Sequence, residues 1–235
     1  MDKKKPGFAD VLAWYRSGWG LFRKDPITWA LFTVMWAVLV LALFQVPLLG
    51  AVMAWAMTPA IYAGYLYAAQ DLSAGRTIGT EQLLRGLKQR DTRMRLLTVG
   101  AITLLIYLLG AVVLFTGPST PAGTSVTTEA AAHGMGLALI INYALRILLM
   151  SMASVLGVIA FIYACPAIIF TGAEPIEAVV TSIETCYTYW RATLSFMLVF
   201  TALAIPALAT VGLGLLVLMP VSCCAAYAAY RSIFG

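Results

Sequence analysis

Apolar residues fall along this chain in long uncharged runs: residues 26–70, 96–128, 147–173 and 192–230 hold no Asp, Glu, Lys or Arg. An apolar run of about 18 residues or more predicts a transmembrane helix, because a helix satisfies its own backbone polar groups across roughly 30 Å of hydrocarbon. Run 26–70 has the length of two spans. Its reversal is expected near Gln45-Val46-Pro47, where the proline disfavours continued helix, giving spans over 29–46 and 48–69. A third span covers 96–116 and ends at Gly117-Pro118-Ser119-Thr120-Pro121, a dense turn signal. The apolar stretch 134–170 would be about 56 Å long as one helix. It is taken as a single long fourth helix, with 147–166 fitting the bilayer and the earlier part projecting beyond it or lying along its surface. Run 192–230 divides near Pro206–Gly212 into a fifth and a sixth span.

Short amphipathic segments stand before each pair of spans. Phe8, Leu12, Tyr15, Trp19 and Phe22 recur at helical spacing opposite Asp10, Arg16 and Lys24. Ile176, Val179, Val180, Ile183, Tyr187 and Trp190 do the same, with Pro175 suited to the first turn. Between them, Thr80 can cap a shorter helix carrying Leu83, Leu84 and Leu87. Each returning span contains a proline (Pro59, Pro166, Pro220), and the first two share the triplet Pro-Ala-Ile. The expected fold is therefore all-α: a polytopic membrane helix bundle of six transmembrane helices in three hairpins, each preceded by a short cytoplasmic amphipathic helix. It forms a single membrane domain over 1–235, with repeats at 8–70, 80–171 and 175–231 about an axis along the membrane normal. The aromatic residues of these segments suit anchoring at headgroup level, and equally a collar that meets a partner protein.

Composition agrees with the pattern, since 62% of the 235 residues are hydrophobic and 11% are charged, far from the balance of a soluble domain. Charge adds an orientation. Fourteen of the fifteen Lys and Arg precede the first span, lie between spans two and three, or follow on the same face; Arg146 alone lies near the other. The positive-inside rule then puts both termini in the cytoplasm.

Candidate chemistry is sparse. His133, the single histidine, falls in the Ser/Thr/Gly loop after span three with Glu129 four residues earlier; two ligands rarely hold a metal, so it reads as a surface residue. Cys165, Cys186, Cys223 and Cys224 show no C-x-x-C spacing and read as buried free thiols on the reducing side. No acidic residue falls within a predicted span, which argues against ion coupling. Catalysis would need a positioned base, and none is visible there, so no enzyme, cofactor or metal is expected. Arg146, with Asn142 one turn before it, is the only intramembrane ionisable candidate; it snorkels to the interface or anchors an anionic headgroup or partner carboxylate. Trp19 and Trp190 complete the candidates for lipid or partner contact. Small residues at helical spacing, Ala153 with Gly157 and Ser151 with Ser154, suit close helix approach. The basic loop 75–95 should attract anionic lipid, and lacks interleaved aromatics for nucleic-acid stacking.

Four stretches carry a resemblance: Gly18-Trp19-Gly20-Leu21-Phe22, Cys165-Pro166-Ala167-Ile168, Ser182 ahead of Trp190, and Gly212-Leu213-Gly214 with Pro220 and the ending 227–234. With them the chain resembles a family of uncharacterised proteobacterial six-span inner-membrane proteins. It is distantly similar to the membrane domain of bacterial glycerophosphodiester phosphodiesterases, whose soluble catalytic domain it lacks. The resemblance implies a bacterial cytoplasmic membrane and supplies no catalytic residues. The expected role is an accessory, scaffold or assembly component of a membrane complex, or a homo-oligomer, in contact with membrane lipids. The alternative is an uncoupled permease for a small apolar or amphipathic solute.

Overall fold

The computed structural model of the chain describes residues 6–46, 49–116 and 129–235, with side chains described outside 113–140. Its elements are helices α1 (Phe8–Phe22), α2 (Pro26–Leu43), α3 (Leu49–Ser73), α4 (Arg85–Lys88), α5 (Arg90–Thr116), α6 (Glu129–Ile162), α7 (Ala164–Thr171), α8 (Pro175–Thr188), α9 (Trp190–Ala209) and α10 (Leu215–Phe234). Among the described residues, six stretches are long and apolar enough to cross a membrane: α2, α3, α5, α6 with α7, α9 and α10. The protein is an all-α polytopic membrane helix bundle. Helix starts follow the chain chemistry: Pro26 opens α2 beneath the Asp25 cap, whose carboxylate accepts from Thr28 N–H at 3.2 Å, and Pro175 opens α8.

Several boundaries depart from expectation. The fourth span is one long α6 that breaks at Tyr163 and resumes as α7. Pro166 has no N–H for the Ile162 carbonyl, and Tyr62 Oη donates to that carbonyl instead, at 3.2 Å. Three rungs earlier, Ser182 Oγ accepts from Tyr163 N–H at 3.1 Å and donates to the Ile159 carbonyl at 2.6 Å, replacing the direct helical bond. The backbone of α6 starts at Glu129, so His133 stands on a helix rather than in a loop; the loop 117–128 lies outside the described residues. Arg90, Arg93 and Arg95 belong to α5 rather than to the preceding loop. The segment after Thr80 forms turns and then the single helical turn α4, with Gln82 rather than Thr80 closing its start by accepting from Gly79 N–H at 2.9 Å. Pro206 lies inside α9, and the reversal comes later, where Thr210 Oγ1 accepts from Gly214 N–H at 2.9 Å.

The bundle core is built from the segments that run on from the three prolines. Residues 59–69 of α3, 164–168 of α7 and most of 220–227 of α10 are buried, and they are rich in Ala, Gly, Ser and Cys, which let helix backbones approach. These segments meet pairwise. Cys165 Sγ lies 3.7 Å from the Pro59 carbonyl, Ser73 and Tyr227 share a hydroxyl hydrogen bond of 3.1 Å, and Phe170 packs on Tyr227 and Tyr230. Around this core each short segment packs on the returning helix of the hairpin before it in cyclic order: α1 on α10, α4 on α3, α8 on α6 and α7. Gly18 of α1 faces Val221 and Ala225, the first and fifth residues after Pro220. Gly86 and Leu83 face Ala60 and Gly64, at the same offsets after Pro59.

Helix α8 turns most of its large apolar stripe outward, and α1 turns part of its own. In α8 the buried residues are Ala178, Val179, Ser182, Thr185 and Cys186, while Ile176, Val180, Ile183 and Tyr187 point outward, as does Trp190 at the start of α9. In α1, Val11, Trp14, Tyr15, Gly18 and Phe22 are buried, while Phe8 and Trp19 are exposed. Where the surroundings are themselves apolar, a stripe of large side chains gains nothing by turning inward, so small residues take the helix contact. The same rule holds between α5 and α6, where Ala153 packs on Gly110 and Gly157 on the Tyr107 ring, while Ser151 faces outward.

Candidate functional site

The ends of the three core segments converge on a pocket of about 740 Å³. From α3 come Tyr67, Gln70 and Ser73, from α7 Phe170, and from α10 Tyr227, Tyr230 and Arg231; Arg76, Arg85 and Gln89 close it from the chain between α3 and α5. The loop that reaches back over α3 is fixed by Asp71, whose side chain is 8% exposed. Its Oδ1 accepts from Arg76 Nε at 3.1 Å and Nη2 at 2.6 Å, and its Oδ2 from Arg85 Nη1 at 3.5 Å. Arg85 also lies over the Tyr67 ring, 4.7 Å from its centre. A buried carboxylate between two arginines holds both side chains at the pocket wall. Asp71 stands two residues beyond the second predicted span, but α3 continues through it to Ser73, so a spanning helix does end on a buried acid.

Cations also finish the core helices, whose last carbonyls lack helical partners. Lys24 Nζ donates to the Leu72 carbonyl at 3.2 Å. Arg95 donates to the Gly172 carbonyl and, at 3.2 Å, to that of Ala173, and pairs with Glu174 at 3.0 Å. Two of the basic residues read as orientation signal, Lys24 and Arg95, therefore have a second duty, closing α3 and α7.

The four residues singled out from sequence are not brought to this pocket. Arg146 is half-buried on α6 with its guanidinium 5.8 Å from the Tyr143 ring, and Asn142 is half-buried one turn before it. Trp19 is exposed and stacks on Phe22 at 5.5 Å; Trp190 is exposed with Arg191 over its ring at 5.4 Å. The pocket was not visible in sequence because its arginines stand at 76, 85 and 231 with no common motif. The one usable signal was Asp71 placed between Tyr67 and Arg76. The four cysteines are free thiols. Outside the spans, burial pushes the Cys186 thiol up to about 11 from its ordinary 9.0, so it stays protonated and unreactive at neutral pH.

Fold and surface together define a polytopic membrane protein. The chain is similar to a probable inner membrane protein of Burkholderia thailandensis, with 27% identity over an alignment of 252 residues that covers 94% of this chain and 90% of that one. No protein family and no solved structure matches the chain, and the likeness to phosphodiesterase membrane domains gains no support from these comparisons.

Proposed function

We infer that the chain is an integral protein of a bacterial inner membrane, with both termini in the cytoplasm, acting without chemistry of its own as an accessory or scaffold component of a membrane complex. The observation that carries this reading is the outward face of α8. Ile176, Val180, Ile183 and Tyr187, with Trp190 at the start of α9, form an apolar and aromatic edge that the bundle leaves uncovered, at the end where the basic residues gather. Aromatic residues of this kind dominate both headgroup anchoring and protein interfaces. The charge distribution supports the orientation, and the name of the Burkholderia relative supports the inner membrane. The shared offsets of the Gly18 and Gly86 contacts after Pro220 and Pro59 support a common plan for two of the three proposed repeats 8–70, 80–171 and 175–231. Purification in mild detergent followed by native mass spectrometry tests the role. A second polypeptide, or a second copy, at fixed stoichiometry is expected; isolation only as a bare monomer contradicts it.

The second reading, an uncoupled permease for a small amphipathic solute, draws on the pocket between the hairpins. Proteoliposomes that show no flux above empty vesicles over a broad solute panel would remove it.

A further inference from the structure

We propose that the pocket where α3, α7 and α10 converge binds a dianionic phosphate monoester carried on an apolar body. The site is independent of the scaffold role. Its charge is the first argument: among the described residues no carboxylate lines the pocket, and Asp71 behind the wall offsets only one of the three cations Arg76, Arg85 and Arg231. Two positive charges remain, matching the near two negative charges of a phosphate monoester at neutral pH. Among the described residues no side chain bonds the Arg231 guanidinium. Arg76 spends Nε and Nη2 on one carboxylate oxygen, and Arg85 spends one Nη1 contact, which leaves further N–H donors on each for an anion.

Shape and lining give the second argument. The volume lies within the range of about 300–1,000 Å³ usual for small-ligand sites. Tyr67, Phe170 and Tyr230 supply ring faces, and the Tyr67 face is already turned to Arg85. Arginine backed by a buried carboxylate and an aromatic ring is held ready for planar, multidentate contact with phosphate oxygens. Such a group is offered by a lipid headgroup of the phosphatidate kind or by a water-soluble phosphate monoester, and the pocket chemistry is the same for both.

The test uses the full chain in phosphatidylcholine nanodiscs at pH 8 and low salt. One arm titrates inorganic phosphate by calorimetry; the other dopes the discs with phosphatidate and counts retained lipid by native mass spectrometry. Saturable binding in the first arm supports the site and points to a soluble ligand, and selective retention in the second supports it and points to lipid. In either arm Arg231→Gln and Arg85→Gln should each weaken binding about tenfold or more, the size expected for a lost charged hydrogen bond. Arg231→Gln touches an exposed residue, so its unchanged melting temperature separates a lost site from a lost fold. Failure of both probes to bind, or binding that neither substitution weakens, overturns the proposal.

Discussion

Ser182 on α8 stands inside the hydrogen-bond ladder of another helix, its hydroxyl bridging the amide of Tyr163 and the carbonyl of Ile159. This contact joins the third amphipathic segment to the second hairpin and sets where the long fourth span breaks. Ser182→Ala leaves two buried backbone groups without their bridge and should cost about 1–3 kcal/mol, read as a lower melting temperature in detergent. Tyr62→Phe should cost a similar amount, about 1–3 kcal/mol, because Pro166 gives the Ile162 carbonyl no helical donor. In a Pro166→Ala background the amide of residue 166 serves that carbonyl, so Tyr62→Phe should become nearly neutral. Equal costs in both backgrounds would show that Tyr62 has another role.

Two glycines of α1, two positions apart, should respond oppositely to alanine. At Gly18 an added carbon would lie 2.6 Å from the Val221 carbonyl oxygen and 2.9 Å from the Ala225 amide, both backbone atoms that cannot swing aside. Gly18→Ala should therefore destabilise by about 1–3 kcal/mol. At Gly20 an added carbon would meet nothing among the described residues within 4 Å beyond its own helix backbone, and Gly20→Ala should stabilise by about 0.5–1 kcal/mol through helix propensity alone. Matched melting curves of the two variants check the α1 contact with α10.

Alkylation reads the environment of Cys186. Its thiol is buried and remains protonated until about pH 11, so maleimide should spare it at neutral pH in folded protein and label it after denaturation. The unfolded thiol ionises near 9 and the folded one near 11, so the unfolded state binds fewer protons in that window. Stability should then fall as pH rises from 9 toward 11, and Cys186→Ala should lose that part of the decline.

Reporter fusions test the topology. Fusions after Gly75, Ala173 and Gly235 should report the cytoplasm, and one after Thr120 the opposite side. An external signal at Ala173 would mean that α6 with α7 crosses the membrane twice.

The spans were legible because hydrocarbon excludes charge, and the uncharged runs mark α2, α3, α5, α6 with α7, α9 and α10 directly. Pro59, Pro166 and Pro220, read from the sequence only as marks of the returning spans, stand within or at the head of the buried segments. The facing of α1 and α8 was not legible, since in a lipid setting the hydrophobic stripe no longer says which side meets protein. Gly18 and Ser182 were the better guides, small residues whose value appears only once a partner helix is placed against them. Asp71 and the pocket escaped for a different reason. They depend on the chain returning over α3 after Gly75, a long-range arrangement that no local spacing encodes.

The scaffold role stands or falls on whether the outward edge of α8 meets a protein. A photo-crosslinking benzoylphenylalanine placed at position 187, where Tyr187 is 83% exposed, and another at the fully buried position 178 would be irradiated in intact cells. A defined adduct with a second polypeptide or a second copy of the chain is expected from position 187 and none from 178. Adducts with lipid alone from position 187 would contradict the role.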